Sequence, residues 1–295
     1  MSTERLRLVV LGTAGRVGAA LARGFAGETE LFAFNRRDLD VADPAALERV
    51  LGPLEFDVLV NSAALTSPDY CQTHREEAFA VNARAVGKLA AICTRKGARC
   101  VHLSTDYVFS GKEPGLRHET DRAEPVNIYG ESKLRGEEEL LAVSDRHLAV
   151  RVSWVFGPDR PGFVEQTVRK AIAGEPLEAV ADKWSRPTGV ADLLDGLRPL
   201  LKEIPAGGVL HLTQGGEPAS WHEYGQAAVD LAVEAGLPVR TREVRPTRLA
   251  DIGFTAPRPV HTAMATGRWE ALTGRVPRPW RQALAEYLRQ MTLPA

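Results

Sequence analysis

The first 155 residues alternate short apolar segments with longer amphipathic ones, and this alternation constrains the fold more than any other feature of the chain. The short segments are rich in branched residues and lack regular polar alternation, which is typical of strands covered on both faces. A repeated strand–helix–strand order requires parallel strands joined by right-handed crossovers. We therefore predict an α/β fold with a doubly wound parallel sheet. The predicted strands are 7–11, 31–34, 57–61, 100–104 and 148–154, and the predicted helices are 16–27, 44–51, 75–96 and 127–141.

The chain changes character after residue 157, where proline and glycine become more frequent and the segments shorten. We predict a first domain over residues 1–157 and a smaller C-terminal α/β substrate lobe over 158–295, some of whose elements return to the first domain. The predicted helices of the lobe are 163–173, 190–201, 220–235 and 279–291, and its predicted strands are 209–213 and 239–244. Trp280, Leu284, Tyr287 and Leu288 share one face of the last helix, which serves either internal packing or an oligomer interface.

Composition excludes several classes of partner. The chain has 295 residues, with 37 Lys+Arg against 38 Asp+Glu and a net charge of −1, so no charge excess favours nucleic acid or an anionic membrane. We find no uncharged apolar run of about 20 residues and no signal-peptide pattern. Cys71, Cys93 and Cys100 cannot all pair, so free thiols and a cytoplasmic location are expected. The histidines lack zinc-ligand spacing, and we expect no metal site.

The segment GTAGRVG, residues 12–18, directly follows the first predicted strand and opens the first predicted helix. Gly12 permits a tight turn, Gly15 lets backbone amides approach a pyrophosphate, and Gly18 allows close packing of helix against sheet. Free N–H groups and the helix dipole at this point favour a phosphate. The strand–turn–helix context therefore predicts a dinucleotide site in a Rossmann-like domain, the alternative being a purely structural turn.

The end of the second predicted strand reads Asn35-Arg36-Arg37 and presents no acidic residue at that point. Guanidinium groups suit a ribose 2′-phosphate better than a bare ribose hydroxyl, so we predict that NADP(H) is preferred, with NAD(H) as the alternative. Asp40 could instead face the adenine. The alternative interpretation is that Arg36 and Arg37 bind no phosphate and only solvate a surface loop.

Thr105 follows Ser104 at the end of the fourth predicted strand, and Tyr129 and Lys133 lie one turn apart on the next helix. Their i,i+4 spacing puts both side chains on one face, with Cβ atoms roughly 5–6 Å apart. An ammonium group and an oxidised nicotinamide beside the phenol favour phenolate, and a shift of its pKa from about 10 to about 7 needs roughly 4 kcal/mol. We therefore predict that Tyr129 donates a proton to a carbonyl oxygen held by Thr105, and that Lys133 also anchors the nicotinamide ribose.

With these residues assembled, the chain resembles an extended short-chain dehydrogenase/reductase and, more narrowly, the dTDP-4-dehydrorhamnose reductase family. The resemblance runs from near residue 7 to near residue 290. It is carried by STDYVFSG (104–111), YGESKLRGE (129–137), RVSWVFG (151–157), DKWSRPT (182–188) and PRPVHTAM (257–264). It implies NADPH-dependent reduction of the 4-keto group of a nucleotide-linked 6-deoxyhexose, dTDP-4-dehydrorhamnose to dTDP-L-rhamnose.

The resemblance also implies roles for further residues. It places Gly12, Thr13, Gly15, Arg16 and Val17 at the pyrophosphate, Asp40 and Val41 near the adenine, and Ala63, Ala64 and Thr66 beneath the cofactor. It expects Asp106 and Trp154 to line the sugar pocket and either Arg186 or the Arg258-Pro259 turn to approach the nucleotide. The chain departs from the family pattern at Gln72, at Ser185-Arg186 and at Val260-His261-Thr262, all on the substrate side, so the identity of the sugar stays open.

Three alternatives to this function remain. One is another nucleotide-sugar 4-ketoreductase of different stereochemistry, and one is an epimerase that keeps its cofactor bound through both half-reactions. The third is a non-catalytic NADP-binding regulatory subunit of a partner enzyme. A homodimer also stays open: a divalent-metal-dependent dimer occurs among relatives, but Gln72 and the near-neutral charge give it no support here.

Overall fold

The computed structural model describes residues 5–291 of the chain. Its first elements are β1 (Arg7–Leu11), α1 (Arg16–Phe25), β2 (Glu30–Phe34), α2 (Pro44–Leu51), β3 (Val58–Asn61), α3 (Pro68–Thr73), α4 (Arg75–Phe79), α5 (Ala85–Arg95), β4 (Arg99–Thr105), α6 (Ile128–Val143), β5 (Leu148–Val152) and β6 (Val155–Phe156). The later elements are α7 (Phe163–Ala173), β7 (Leu177–Val180), β8 (Trp184–Ser185), β9 (Thr188–Gly189), α8 (Val190–Lys202), β10 (Gly208–His211), β11 (Ala219–Ser220), α9 (Trp221–Glu234), β12 (Val244–Thr247), α10 (Gly267–Thr273) and α11 (Trp280–Arg289).

Six parallel strands form the central sheet in the order β10-β5-β4-β3-β1-β2. The chain moves outward from β1 to β2 and then returns to β3 on the other side, so the strand order reverses between β1 and β3. In doubly wound sheets, ligands bind outside the carboxyl ends of the strands at such a reversal. The predicted α/β fold with a doubly wound, Rossmann-like parallel sheet is confirmed.

Helices cover both faces of this sheet, and successive residues of β1 show why its strands read as continuous apolar runs. Val9 and Leu11 pack against α2 and α5 on one face, whereas Leu8 and Val10 pack against α1 and α8 on the other. Neither face is left to water, so polar alternation would place polar side chains in a core.

The C-terminal elements outside the sheet pack around a second apolar cluster built from α7, α9 and α11. Trp280, Leu284 and Leu288 of α11 are buried in this cluster. The apolar face of the terminal helix therefore serves internal packing. Three short strand pairs lie outside the central sheet: β7 with β12, β8 with β11 and β6 with β9.

The strand predicted at residues 209–213 corresponds to β10, and it is an element beyond residue 157 that returns to the first domain. β10 pairs in parallel with β5 at the edge of the central sheet. Leu210 and the neighbouring helix α8 bury apolar side chains in the same core layer as β1. Burying this apolar surface at the edge of the central sheet stabilises β10 there, although its neighbours along the chain belong to the C-terminal elements. The chain thus re-enters the central sheet beyond residue 157, and the ends of the two predicted domains, residues 1–4 and 292–295, lie outside the described residues.

The predicted strand at residues 239–244 is wrong. The observed strand β12 begins at Val244 and pairs with β7. The backbone N–H groups of Arg240 and Thr241 donate to the carbonyl of Ala171, at 2.9 and 3.0 Å, at the end of α7. The backbone of this segment therefore caps the end of α7. Strand pairing with β7 begins only at Val244.

The predicted helix 75–96 is one continuous helical segment that contains a π-helical turn at Ala80–Arg84. Asn82 lies in this turn and is fully buried. Its side chain bonds both backbone groups of Leu65, at 2.9 and 3.0 Å, and donates to Ser132 Oγ at 3.0 Å. The π-turn therefore ties the loop after β3 to α6. In the described part of the chain, no helix combines the length and the apolar character that a membrane crossing requires.

Candidate active site

A cleft of about 520 Å³, here called the main cleft, lies at the carboxyl ends of β1, β3, β4 and β5. Three segments that are distant in the sequence meet there: the glycine turn, the end of β4 and the start of α6. The predicted site residues that line it are Gly15, Arg16, Val17, Ala64, Thr66, Thr105, Asp106, Tyr129, Lys133 and Trp154. The predicted site residues outside its lining are Gly12, Thr13, Asn35, Arg36, Arg37, Asp40, Val41, Ala63, Arg186 and Arg258.

The glycine turn brings backbone into close contact with the loop after β3. Gly12 has a φ of +82°, and a Cβ at this position would lie 2.6 Å from the Ala63 nitrogen. A Cβ at Gly18 would lie 2.7 Å from Ser62 Oγ. Side chains at these two positions would push the loop away from α1. The first-turn N–H groups of α1 have no acceptor within the helix, and the helix dipole adds positive potential there, so this end fits a pyrophosphate.

The Arg16 side chain is engaged by the protein. Its Nε donates to the Gly157 carbonyl at 3.1 Å, one terminal nitrogen donates to the Val155 carbonyl at 2.6 Å, and the other lies 3.5 Å from Glu165. The guanidinium group thus fastens α1 to the segment after β5. For the predicted pyrophosphate contact, Arg16 retains its backbone N–H.

The end of β2 lies beside the glycine turn, as a site for the adenosine half of a dinucleotide requires. The backbone N–H groups of Gly12 and Thr13 donate to the Phe34 carbonyl at 2.9 and 3.2 Å. Arg36 pairs with Asp40 at 3.4 Å, and 75% of the Arg36 side chain is exposed. An exposed pair of this kind contributes little, so a ribose phosphate can compete with Asp40 for Arg36.

Two side-chain contacts position the start of α6 in the main cleft. Asn127 caps the helix by accepting from the Gly130 N–H at 2.8 Å, and Gln72 accepts from the Ile128 N–H at 3.2 Å. Tyr129 and Lys133 then project inward from one helix face and are both buried. Gln72, a departure from the family pattern, therefore orients the start of α6 in this structure.

Thr105 is held at the end of β4 beside these residues. Its Oγ accepts from the Tyr107 N–H and donates to Asp106 Oδ1, each at 3.2 Å. The ring of Tyr107 packs edge-on against that of Tyr129, with centroids 5.5 Å apart. Thr105, Tyr129 and Lys133 therefore line the same cleft, as the Y-x-x-x-K spacing and the strand end predict.

Burial shifts the pKa of both ionisable groups of the site. Burial raises the pKa of Tyr129 above its ordinary value, and the adjacent Thr105 hydroxyl only partly opposes this. Burial lowers the pKa of Lys133 to about 7, against the opposing charge of Glu137. The predicted lowering of the Tyr129 pKa toward 7 requires the oxidised nicotinamide beside the Lys133 ammonium and stays a prediction, because burial by itself disfavours both charges. Tyr129 is thus a protonated donor, the form that reduction requires.

Asp106 and Trp154 lie in the wall of the main cleft near a buried cation. Asp106 accepts from Ser185 Oγ at 3.1 Å and from Thr262 Oγ1 at 2.5 Å. Trp154 has a φ of +43°, which is strained for a bulky residue, and its ring nitrogen is buried without a protein partner. Such strain and an unpaired donor mark a position shaped for a ligand.

Lys183 is the cation behind this wall, and the sequence analysis did not single it out. It is fully buried, and its Nζ lies 5.0 Å from the Tyr107 ring centroid and 5.6 Å from that of Trp154. Burial lowers its pKa to about 8, with the charge of Asp106 opposing. The signal in the sequence that could have indicated Lys183 is its position within DKWSRPT, one of the segments that carry the resemblance to the family.

The two arginines predicted to approach the nucleotide are bound to other parts of the protein. Arg258 makes two hydrogen bonds to Asp69, at 2.6 and 3.2 Å, and its guanidinium lies over the Phe254 ring. Arg186 donates to the Met264 carbonyl at 3.1 Å. Their role toward a nucleotide stays a prediction.

Comparison with known proteins identifies the family of the chain. The family described as RmlD substrate binding domain matches residues 6–293. The chain is 37% identical to dTDP-4-dehydrorhamnose reductase of Mycobacterium tuberculosis, over 98% of this chain and 94% of that protein. It is 33% identical to the spore coat polysaccharide biosynthesis protein SpsK of Bacillus subtilis, over 96% of this chain and 97% of that protein.

Among solved structures, the fold is similar to that of dTDP-4-dehydrorhamnose reductase from Bacillus anthracis in complex with NADP. The TM-score is 0.91 at 26% identity, with 97% of this chain and 100% of that chain covered. Both the match to the family and the full-length relatives extend across the central sheet and the C-terminal elements alike. The chain therefore belongs to the RmlD substrate binding domain family.

Proposed function

We propose that this protein is an NADPH-dependent reductase of the 4-keto group of a nucleotide-linked 6-deoxyhexose, converting dTDP-4-dehydrorhamnose to dTDP-L-rhamnose. The observation that carries the proposal is the meeting of Thr105, Tyr129 and Lys133 with the glycine turn in one cleft. The relative from Mycobacterium tuberculosis, which covers nearly the whole chain, is named for this reaction.

The residues of the cleft account for a ketone reduction. NADPH supplies a hydride to the carbonyl carbon when bound. The π electrons of the C=O bond move to the oxygen, and the buried Tyr129 hydroxyl donates its proton to that oxygen. Thr105 Oγ is held in place by the Tyr107 N–H, and its single proton, which points to Asp106 Oδ1 in the structure, turns to the same oxygen and stabilises the developing charge. The products are the alcohol and NADP⁺, and the phenolate regains its proton from solvent.

NADPH is preferred to NADH in this proposal because Arg36 and Arg37 are exposed beside the glycine turn and can bind a ribose phosphate. Gly15, Arg16 and Val17 provide the start of α1 for the pyrophosphate. Asp106 and Trp154 form the wall against which the sugar binds. The cytoplasm is the proposed location, since Cys71, Cys93 and Cys100 are free and buried. A homodimer remains the alternative to a monomer.

The test is oxidation of NADPH in the presence of dTDP-4-dehydrorhamnose, with product stereochemistry read by NMR. Tyr129→Phe should lower kcat by about 10²- to 10⁴-fold and leave NADPH affinity nearly unchanged. Tyr224→Phe is the matched control, because the Tyr224 hydroxyl is buried in the C-terminal cluster without a hydrogen-bond partner. No turnover by folded wild-type protein that binds NADPH would refute the proposal.

The same assay separates the alternatives. Consumption of NADPH with a different keto sugar identifies another 4-ketoreductase. Purification with a tightly held nicotinamide, together with interconversion of sugars without net NADPH use, identifies an epimerase. Co-purification of a stoichiometric partner enzyme and no turnover identify a regulatory subunit.

A further inference from the structure

A chain of buried hydrogen bonds runs from the loop after β3 to Lys133. Asn61 and His102 are register partners on the adjacent strands β3 and β4, and both are fully buried. Asn61 Nδ2 lies 3.1 Å from His102 Nδ1, and Lys133 Nζ lies 2.8 Å from His102 Nε2. His102 thus has one nitrogen toward an amide and the other toward the catalytic lysine.

The orientation of the Asn61 amide is set by the backbone. Asn61 Oδ1 accepts from the Ala63 N–H at 3.1 Å, and a backbone N–H can only donate. The opposite end of the amide, Nδ2, is therefore the one that faces His102. Because Nδ2 can only donate, His102 Nδ1 must accept and carries no proton.

The tautomer of His102 follows from this. Burial lowers the pKa of His102 well below its ordinary value, so the ring is neutral and carries one proton. With Nδ1 unprotonated, that proton is on Nε2, which faces Lys133. Lys133 also donates to the Leu103 carbonyl at 2.6 Å, so its remaining contact with His102 needs a lone pair on Nζ. An ammonium group has no lone pair and would face Nε2–H as a second donor.

We propose that His102, held in the Nε2–H tautomer by Asn61, donates a hydrogen bond to Lys133 and holds Lys133 as a neutral amine until cofactor or substrate binds. His102 is a positioning residue, since it acts on the reaction only through Lys133. The consequence for turnover rests on the proposed function, whereas the tautomer and the charge of Lys133 do not.

Among the described residues, the other ionisable groups around Lys133 do not make a direct polar contact with its amine, so they do not replace His102 in holding it neutral. Glu137, one turn further along α6, is paired with Arg151 at 2.6 Å, and its charge raises the pKa of Lys133 without offsetting the effect of burial. Burial raises the pKa of Cys71, on α3, to about 11, so it faces Lys133 as a neutral thiol. Tyr129, on the same helix, is protonated. The direct polar contacts that the structure gives the Lys133 amine are thus His102 and Leu103.

Nitrogen NMR of the histidine rings in the wild-type protein without cofactor tests the tautomer directly. His102 should show an unprotonated Nδ1 and a protonated Nε2 at neutral pH. Two buried histidines serve as internal references. His147 accepts from the Cys100 N–H through Nδ1 and should share this tautomer, whereas His211 Nδ1 faces the Ala265 carbonyl and should show the opposite one. A His102 signal that matches His211 overturns the proposal.

The charge of Lys133 is read in the same sample from the pH dependence of its side-chain methylene signals, assigned by their loss in Lys133→Met. The expected midpoint is near 7, so the amine is half-charged at that pH and neutral above it. A Lys133 that stays fully charged up to about pH 9 refutes the neutral amine, whatever the enzyme activity.

Asn61→Asp should reverse both the tautomer of His102 and the neutral state of Lys133. A carboxylate can accept from the Ala63 N–H and from His102 Nδ1–H together, which frees Nε2 to accept from a Lys133 ammonium. We expect His102 to change to the Nδ1–H tautomer and the Lys133 midpoint to rise by more than one pH unit. Asn82→Asp is the matched control, since Asn82 is equally buried but bonds Leu65 and Ser132 and leaves His102 unchanged. An unchanged tautomer in folded Asn61→Asp contradicts the proposal, and if that variant does not fold, the wild-type spectra decide.

Discussion

The ion pair between Glu137 and Arg151 joins α6, which carries Tyr129 and Lys133, to β5, and it offers a quantitative test of how this site is built. The two side chains are 3% and 4% exposed. Arg151 donates through Nε at 2.9 Å and through a terminal nitrogen at 2.6 Å, and Ser104 Oγ donates to the same carboxylate. The Glu137 carboxylate is therefore compensated mainly by Arg151 and one hydroxyl, and the Arg151 guanidinium mainly by Glu137, with the His211 ring nitrogen at 3.4 Å and the Phe109 ring beside it.

We predict that Arg151→Met lowers the free energy of unfolding by about 3–5 kcal/mol, because it leaves the Glu137 carboxylate buried without a cation. Glu137→Leu should cost about as much, since the guanidinium is then unpaired. In the double variant neither charge is present, and the main loss is the acceptor of the Ser104 hydroxyl, roughly 1–3 kcal/mol. The double variant should thus be more stable than either single variant.

Urea unfolding followed by the fluorescence of the five tryptophans measures these differences, with equal slopes among variants as the condition for comparing them. The pair Arg248 and Asp251, whose side chains are 77% and 47% exposed, is the control. Its coupling should be below about 1 kcal/mol. If the Arg151 and Glu137 variants destabilise additively, the reasoning about mutual compensation of buried charges is refuted.

Two further predictions concern the cofactor and pH. Arg36→Ala should raise the KM for NADPH roughly ten- to hundredfold and leave that for NADH unchanged, because only NADPH carries the phosphate; steady-state kinetics with both cofactors measures this, and an equal effect on both contradicts it. Arg258 lowers the pKa of Asp69, so folding favours the ionised carboxyl. Wild type should therefore melt above Asp69→Asn at about pH 6, and the difference should disappear as the pH falls through the lowered pKa of Asp69 in the folded state; a difference that persists once Asp69 is protonated would contradict this.

Local patterns were sufficient for the first half of the fold. Each of the first five predicted strands is present, because a strand buried on both faces needs branched apolar residues at consecutive positions. The glycine turn and the Tyr129–Lys133 spacing were equally readable, since both depend on contacts within one turn of helix or one strand–helix junction. The C-terminal elements were less readable: β6, β7, β8, β9 and β11 are short and were not predicted, and the strand at 239–244 was misplaced.

The amino-acid sequence by itself determined the sheet type, and it predicted the glycine turn and the three residues that we propose carry the chemistry, because neighbours along the chain encode these features. Only the tertiary structure decided that β10 completes the central sheet, that the Arg16 side chain donates to the segment after β5, and that His102 contacts Lys133. It also decided the protonation states, since the pKa of a buried group depends on burial and on partners that are distant in sequence.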